Sequence, residues 1–251
     1  MKETVCITGA SAGFGESCVR RFAKGGKKLV LVARRLERLQ QLQNELGGPK
    51  MIHIVQLDVR DKNLVKKAFE SLPADFSEID LLINSAGLAL GVEFAYEADV
   101  ENWETMIDTN IKGLVYCTRE ILPGMVKRKS GYIMNVGSTA GNWPYPGGNV
   151  YGATKSFVQQ FSRNLRAELV GRGIRVSNIE PGLAETEFSI VRFKGDKNRA
   201  SKVYDGTDPL TGEDIAEIAW WLYNLPPHVN VNTLEVMPTC QAWGPLAIDR
   251  K

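Results

Sequence analysis

Apolar positions along the chain gather into short continuous runs that alternate with stripes of helical spacing. Thr4 to Thr8 (TVCIT) is an apolar run ending in glycines, and residues 14–24 follow with helical periodicity. Lys28 to Ala33 (KLVLVA) is a second run, and a charged helix is expected over 35–46. Residues 51–56 (MIHIVQ) predict a third strand. Asp61 is placed to cap the next helix, where Leu64, Val65, Ala68, Phe69 and Leu72 share one stripe. Strands are expected at 81–84 and 132–136, separated by one long helical stretch over about 99–128. A helix over about 150–171 precedes a strand at 175–179, and a helix at 213–223 and a strand at 233–236 close the pattern.

Strands that read as unbroken apolar runs are those covered on both faces. Alternation with amphipathic helices then predicts an α/β fold: a single-domain, Rossmann-like, doubly wound parallel sheet with helices on both faces. No repeat or linker divides the chain, so residues 1–251 are expected to form one domain. The polar segment over about 185–209 breaks the alternation and is read as an irregular substrate lid. A C-terminal tail over about 237–251 carries Trp243, Pro245, Leu246 and Ile248, and apolar residues in such a tail imply that it docks on something.

Composition narrows the function. The net charge of +2 leaves no broad basic field, which argues against nucleic acid as a partner. No apolar run approaches the roughly 20 residues that span a bilayer, so no membrane partner is expected. The chain passes from Met1-Lys2-Glu3 directly into a strand, leaving no room for a signal peptide, and a cytoplasmic location is expected. Cys6, Cys18, Cys117 and Cys240 are scattered, as free thiols of a reducing compartment would be. With only His53 and His228, both read as surface or loop residues, neither a metal site nor a histidine-based triad is expected. Trp143, Trp220, Trp221 and Trp243 read as core or interface residues, with the adjacent pair splitting between two environments.

Directly after the first strand stands TGASAGFG, Thr8 to Gly15. Glycines at 9, 13 and 15 let the backbone turn sharply and approach a pyrophosphate, while the following helix points its free N–H groups at that anion. This marks a dinucleotide site that includes Gly9, Ser11, Gly13, Phe14 and Gly15. The second strand ends in Ala33-Arg34-Arg35, where an NAD binder carries an acidic ribose ligand. Two guanidinium groups suit a 2′-phosphate instead, and NADP is the expected cofactor.

Tyr151 and Lys155 stand four apart near the start of a predicted helix, so they share a face, and Ser138 follows the strand ending at Val136. A free phenol has a pKa of about 10, too high for efficient proton transfer near neutrality. A nearby ammonium would favour its phenolate, and a serine hydroxyl can hold the substrate oxygen alongside.

With these residues in their order and spacing, together with Leu57-Asp58-Val59, Asn110 and Pro181-Gly182, the chain resembles the short-chain dehydrogenase/reductase superfamily over essentially its whole length. The resemblance implies that Tyr151 is the general acid/base and that Ser138 orients the carbonyl. Lys155 would bind the nicotinamide ribose and lower the tyrosine pKa, while Asn110 would support a water relay to Lys155. It further implies that Asp58 meets the adenine amino group, that Asn84, Ala86, Gly87, Pro181 and Gly182 line the cofactor, and that Thr186 approaches the nicotinamide carboxamide. A homotetramer is implied as well. The family's usual Asn-Asn-Ala-Gly reads Asn84-Ser85-Ala86-Gly87 here.

Three longer stretches, 102–116, 138–162 and 186–196, resemble a bacterial subgroup of NADP-dependent 3-hydroxy acid dehydrogenases. That subgroup also oxidises serine and allo-threonine and reduces malonic semialdehyde; sulfoacetaldehyde reductases, which form isethionate, neighbour it. A small anionic hydroxy or oxo substrate is implied. Arg192 in the lid can engage two oxygens of a carboxylate or sulfonate, and Tyr145 or Asn149 can add a hydrogen bond from the opposite wall. Lys194 reads as a solvated loop cation. The short turn Leu183-Ala184-Glu185-Thr186 leaves the sulfonated aldehyde as the alternative substrate. A non-catalytic NADP-sensing regulator on the same fold is the alternative of another class, although such a protein has no need of Tyr151, Lys155 and Ser138.

Overall fold

Two apolar cores sandwich one sheet, and the strand sequences show why. The computed structural model describes residues 3–243 and Ile248. In β1 (Thr4–Thr8), Val5 and Ile7 enter one core while Cys6 enters the other. The same split divides Leu29 and Leu31 from Val30 and Val32 in β2 (Lys28–Ala33), and Leu81 and Ile83 from Leu82 in β4 (Ile79–Asn84). With β3 (Ile52–Gln56), β5 (Gly131–Val136), β6 (Ile174–Pro181) and β7 (Thr233–Val236), these strands form a seven-stranded sheet in the order β3-β2-β1-β4-β5-β6-β7. Every pairing is parallel. The expected doubly wound fold is present.

Helices cover both faces. The described helices in chain order are α1 (Gly13–Lys24), α2 (Leu36–Leu46), α3 (Lys62–Glu70), α4 (Ala74–Ser77), α5 (Val100–Ile107), α6 (Leu114–Arg128), α7 (Asn149–Glu168), α8 (Glu187–Arg192), α9 (Lys197–Lys202) and α10 (Gly212–Asn224). Phe22 of α1 meets the edge of Trp220 of α10 at 5.2 Å, while Trp221 is exposed. The tryptophan pair thus splits as expected. Strand order reverses direction between β1 and β4, so the crevice at their carboxyl ends is where this topology places a ligand.

Three expectations need correction. The helix expected over 99–128 is interrupted by a π-helical turn at Asp108–Gly113, between α5 and α6. The lid is not irregular: α8 and α9 stand in it, capped by the side chains of Thr186 and Asp196. Its stem is closed by Leu210, which accepts from the Glu185 N–H and donates to the Leu183 carbonyl. His53 is half-buried in β3 rather than in a loop. Trp143 and Trp243 are exposed on this chain, and Pro245 and Leu246 of the tail lie outside the described residues.

Candidate active site

The turn after β1 is built by close backbone contact. Gly9 has φ +68°, and a Cβ there would stand 2.9 Å from the Ala86 backbone; one on Gly15 would stand 2.2 Å from the Gly9 carbonyl oxygen. Gly15 therefore packs the helix onto the turn, while Gly9, Ser11, Gly13 and Phe14 line the cleft itself. Ala12 provides no side-chain cap for α1, so the first N–H groups of that helix remain available to an anion.

At the adenosine end, Arg34, Arg35, Asp58, Ala86 and Gly87 share the cleft with these residues. The two arginines differ. Arg35 donates from Nε to Ser11 Oγ (3.1 Å), from Nη2 to the Ser11 carbonyl (2.9 Å) and from Nη1 to Glu187 (2.9 Å). Arg34 is exposed and its guanidinium has no hydrogen-bond or ion-pair partner among the described residues. Arg38, one helical turn further along α2, also pairs with Glu187. Both Arg38 and Glu187 escaped the sequence reading. Asp58 is gripped by Arg60, whose side-chain hydrogen bonds hold the carboxyl below its usual range.

At the other end, Ser138, Tyr151, Lys155, Pro181, Gly182 and Thr186 line one pocket with Phe14 and Phe188. Tyr151 and Lys155 sit one turn apart on α7 and are 8% and 7% exposed. Burial pushes the Tyr151 phenol up to about 12, against the lowering influence of Arg192 and a hydrogen bond with Ser138. Burial pulls Lys155 down to about 8. Its Nζ donates to the Val136 carbonyl at 2.8 Å. The π turn brings Asn110 into this neighbourhood, where its amide accepts from the Leu88 N–H and donates to the Leu88 carbonyl, both at 2.8 Å, and to Thr154. A Cβ on Gly87 would touch both Asn110 Oδ1 and Lys155 Nζ, so these groups flank one point.

The lid supplies a cation. Arg192 donates from Nη2 to the Tyr145 hydroxyl at 3.1 Å, and its Nε is buried without a partner. Arg192 and Tyr145 stand by Tyr151 without lining either stretch of the cleft, and two expected amides point elsewhere. Asn84 turns its amide into the sheet's covered face, onto Thr118 and Asn135, rather than toward the cleft. Asn149 donates to the Glu93 carbonyl and accepts from the Val150 N–H, which commits both ends of its amide.

A glycine cradle, an uncapped helix start, an unpaired arginine at the ribose end and a buried lysine beside a buried tyrosine fit NADP. The comparisons agree with that geometry. The family model described as short chain dehydrogenase matches residues 3–197. The NADP-dependent 3-hydroxy acid dehydrogenase YdfG of Escherichia coli (strain K12) is 57% identical over 248 residues, covering 98% of this chain and 99% of that protein. A sulfoacetaldehyde reductase of Chromohalobacter salexigens is 52% identical over 250 residues, covering 99% of each. The closed form of serine dehydrogenase complexed with NADP+ superimposes with a TM-score of 0.94 at 57% identity, covering 99% of this chain and 100% of that one. The chain belongs to the short-chain dehydrogenase family.

Proposed function

We propose that this chain interconverts a small anionic aldehyde or oxo acid and the corresponding hydroxy compound, of the 3-hydroxy acid, serine and malonic semialdehyde type. As a family member it is an oxidoreductase, and NADP(H) is its cofactor. The observation that carries the substrate reading is Arg192: a guanidinium beside Tyr151 that no carboxylate among the described residues neutralises. A buried or half-buried cation without a counter-ion is costly, and an anionic substrate would supply one.

When bound, the nicotinamide exchanges a hydride with the substrate carbon. The chain's own residues handle the oxygen. Ser138 donates a hydrogen bond to the substrate oxygen, and Tyr151 gives it a proton in reduction or takes one in oxidation. Lys155 stabilises the phenolate that reduction leaves behind, and Asn110 supports return of the proton toward Lys155 from the flank of Gly87. Arg34 holds the 2′-phosphate with donors that no other residue occupies. Tyr145 and Arg192 together hold the substrate anion, and the chain acts as a homotetramer.

The similarity to a sulfoacetaldehyde reductase supports a second substrate, the sulfonated aldehyde, because a guanidinium and a hydroxyl also match a sulfonate. The regulator reading loses support from the intact set Ser138, Tyr151, Lys155 and Asn110. Arg192→Ala tests the proposal: kcat/KM for malonic semialdehyde should fall at least tenfold more than that for a neutral aldehyde of similar size. Equal losses with both would contradict it.

A further inference from the structure

Arg192 lies closer to the catalytic ring than Lys155 does. Its guanidinium carbon stands 5.1 Å from the centre of the Tyr151 ring and 4.9 Å from that of Phe188, whereas Lys155 Nζ is 5.9 Å from the Tyr151 centre. The two rings are 5.5 Å apart with their planes at 56°, so the guanidinium rests against both. Its position is fixed from two sides: Nη2 donates to Tyr145, and the Arg192 carbonyl accepts from the Gly91 N–H at 2.9 Å. On one side Tyr151 packs in an apolar cluster with Leu88, Ala89 and Met106. In such surroundings a charge at this distance acts with little screening.

We propose that Arg192 sets the charge balance of proton transfer by acting through Tyr151, stabilising the phenolate alongside Lys155. This rests on the reading of Tyr151 as the proton donor and of the lid as the substrate's cover. It goes beyond anion binding, because it assigns Arg192 a task that does not require a substrate anion. In reduction the carbonyl carbon receives the hydride, the Tyr151 O–H bond breaks and the alcohol O–H bond forms. The negative charge left on the phenolate then has an ammonium and a guanidinium within about 6 Å of its ring. In oxidation the phenolate must be present at the start, so the guanidinium decides how much of the enzyme is ready at a given pH.

The groups facing Tyr151 make this assignment specific. Lys155 lies on its own helix, Arg192 on α8, and Ser138 and Tyr145 on the segment between β5 and α7. Burial raises the phenol, Arg192 and Ser138 lower it, and Tyr145 raises it slightly. No carboxylate enters this set. The assignment also gives the lid a chemical purpose: as the stem at Ala184 and Leu210 carries α8, the position of the lid determines whether Tyr151 has its second cation.

The test uses the enzyme saturated with NADP+. Ultraviolet difference titration of tyrosinate, with Tyr151→Phe subtracted, reads the phenolate of Tyr151 without turnover. Arg192→Gln should move that midpoint up by on the order of one pH unit, and Arg192→Lys should restore much of it. The acidic limb of kcat/KM for oxidation of a neutral primary alcohol should shift in parallel. An unmoved tyrosinate midpoint in Arg192→Gln overturns the proposal, even if preference for acidic substrates is lost. A shifted midpoint with no change in acid preference instead sustains the proposal and refutes anion binding by Arg192.

Discussion

Arg35 and Glu187 form an ion pair at 2.9 Å that joins the start of α2 to the first residue of the lid helix. Burial would raise the Glu187 carboxyl, but Arg35 and Arg38 together hold it below its usual range. The pair divides the labour of two adjacent arginines: Arg35 is committed to Ser11 and Glu187, and Arg34 keeps free donors. All three side chains of the Arg35, Arg38 and Glu187 cluster are partly exposed, so its contribution to stability is modest.

Arg34→Ala should therefore weaken NADPH far more than NADH. A charge-assisted bond contributes about 1.5–3 kcal/mol, which corresponds to a rise in the KM for NADPH of roughly 10–150-fold. Arg35→Ala should disturb both cofactors, because it also releases the lid. Steady-state kinetics with each coenzyme decides the matter; equal losses for Arg34→Ala with both coenzymes would remove it from the phosphate site.

Tyr151→Phe should bind NADPH with nearly unchanged affinity, measured by quenching of protein fluorescence, while losing at least 99% of turnover, since about 10²–10⁴-fold is typical for a positioned proton donor. A variant that kept a tenth of the activity would place the proton source elsewhere.

Lys155 carries a pH signature. Its folded value of about 8 lies below the ordinary 10.5, so between these values the unfolded chain holds a proton that the folded chain has released. Without cofactor, this group makes the fold more stable as pH rises through that window. Below it, the buried charge costs roughly 3 kcal/mol. Lys155→Met removes that charge, so its stability relative to wild type should be most favourable near pH 7 and decline toward pH 10. Denaturant midpoints at several pH values would show this. A stability difference that is flat across the window would mean that the ammonium is solvated in the free enzyme.

What the sequence disclosed and what it withheld have separate physical origins. The sheet was legible because residues such as Val30 and Leu31 are both apolar yet enter opposite cores, a pattern specific to strands covered twice. The cleft was legible through Gly9, Gly13, Tyr151 and Lys155 because their spacing is local. The π turn left no trace, since one widened turn does not break the apolar stripe on either side of Asn110. Helices α8 and α9 are too short to show a second helical period. The clasp of Glu187 on Arg38 spans 149 positions and depends on where the lid folds. Asn84 and Asn149 had the right chemistry, but an amide's direction is set by its neighbours: Thr118 and Asn135 for one, Glu93 for the other.

Assembly has its own test. Phe157 and Phe161 of α7 stack at 5.7 Å, Phe161 packing on the core and Phe157 exposed. Such an exposed ring is favourable to cover. A tetramer is expected by light scattering at micromolar concentration, with Phe157→Glu shifting the mass downward; a strictly monomeric wild-type mass would contradict it.

The most direct measurement compares wild-type NADPH oxidation with two aldehydes of equal length, malonic semialdehyde and propanal, with sulfoacetaldehyde and NADH run alongside. An anion held by Arg192 and Tyr145 should give the acidic aldehydes at least tenfold higher kcat/KM than propanal, with NADPH strongly preferred. If propanal outperforms every acidic aldehyde, Arg192 does not serve a substrate anion and the proposed substrate class is wrong.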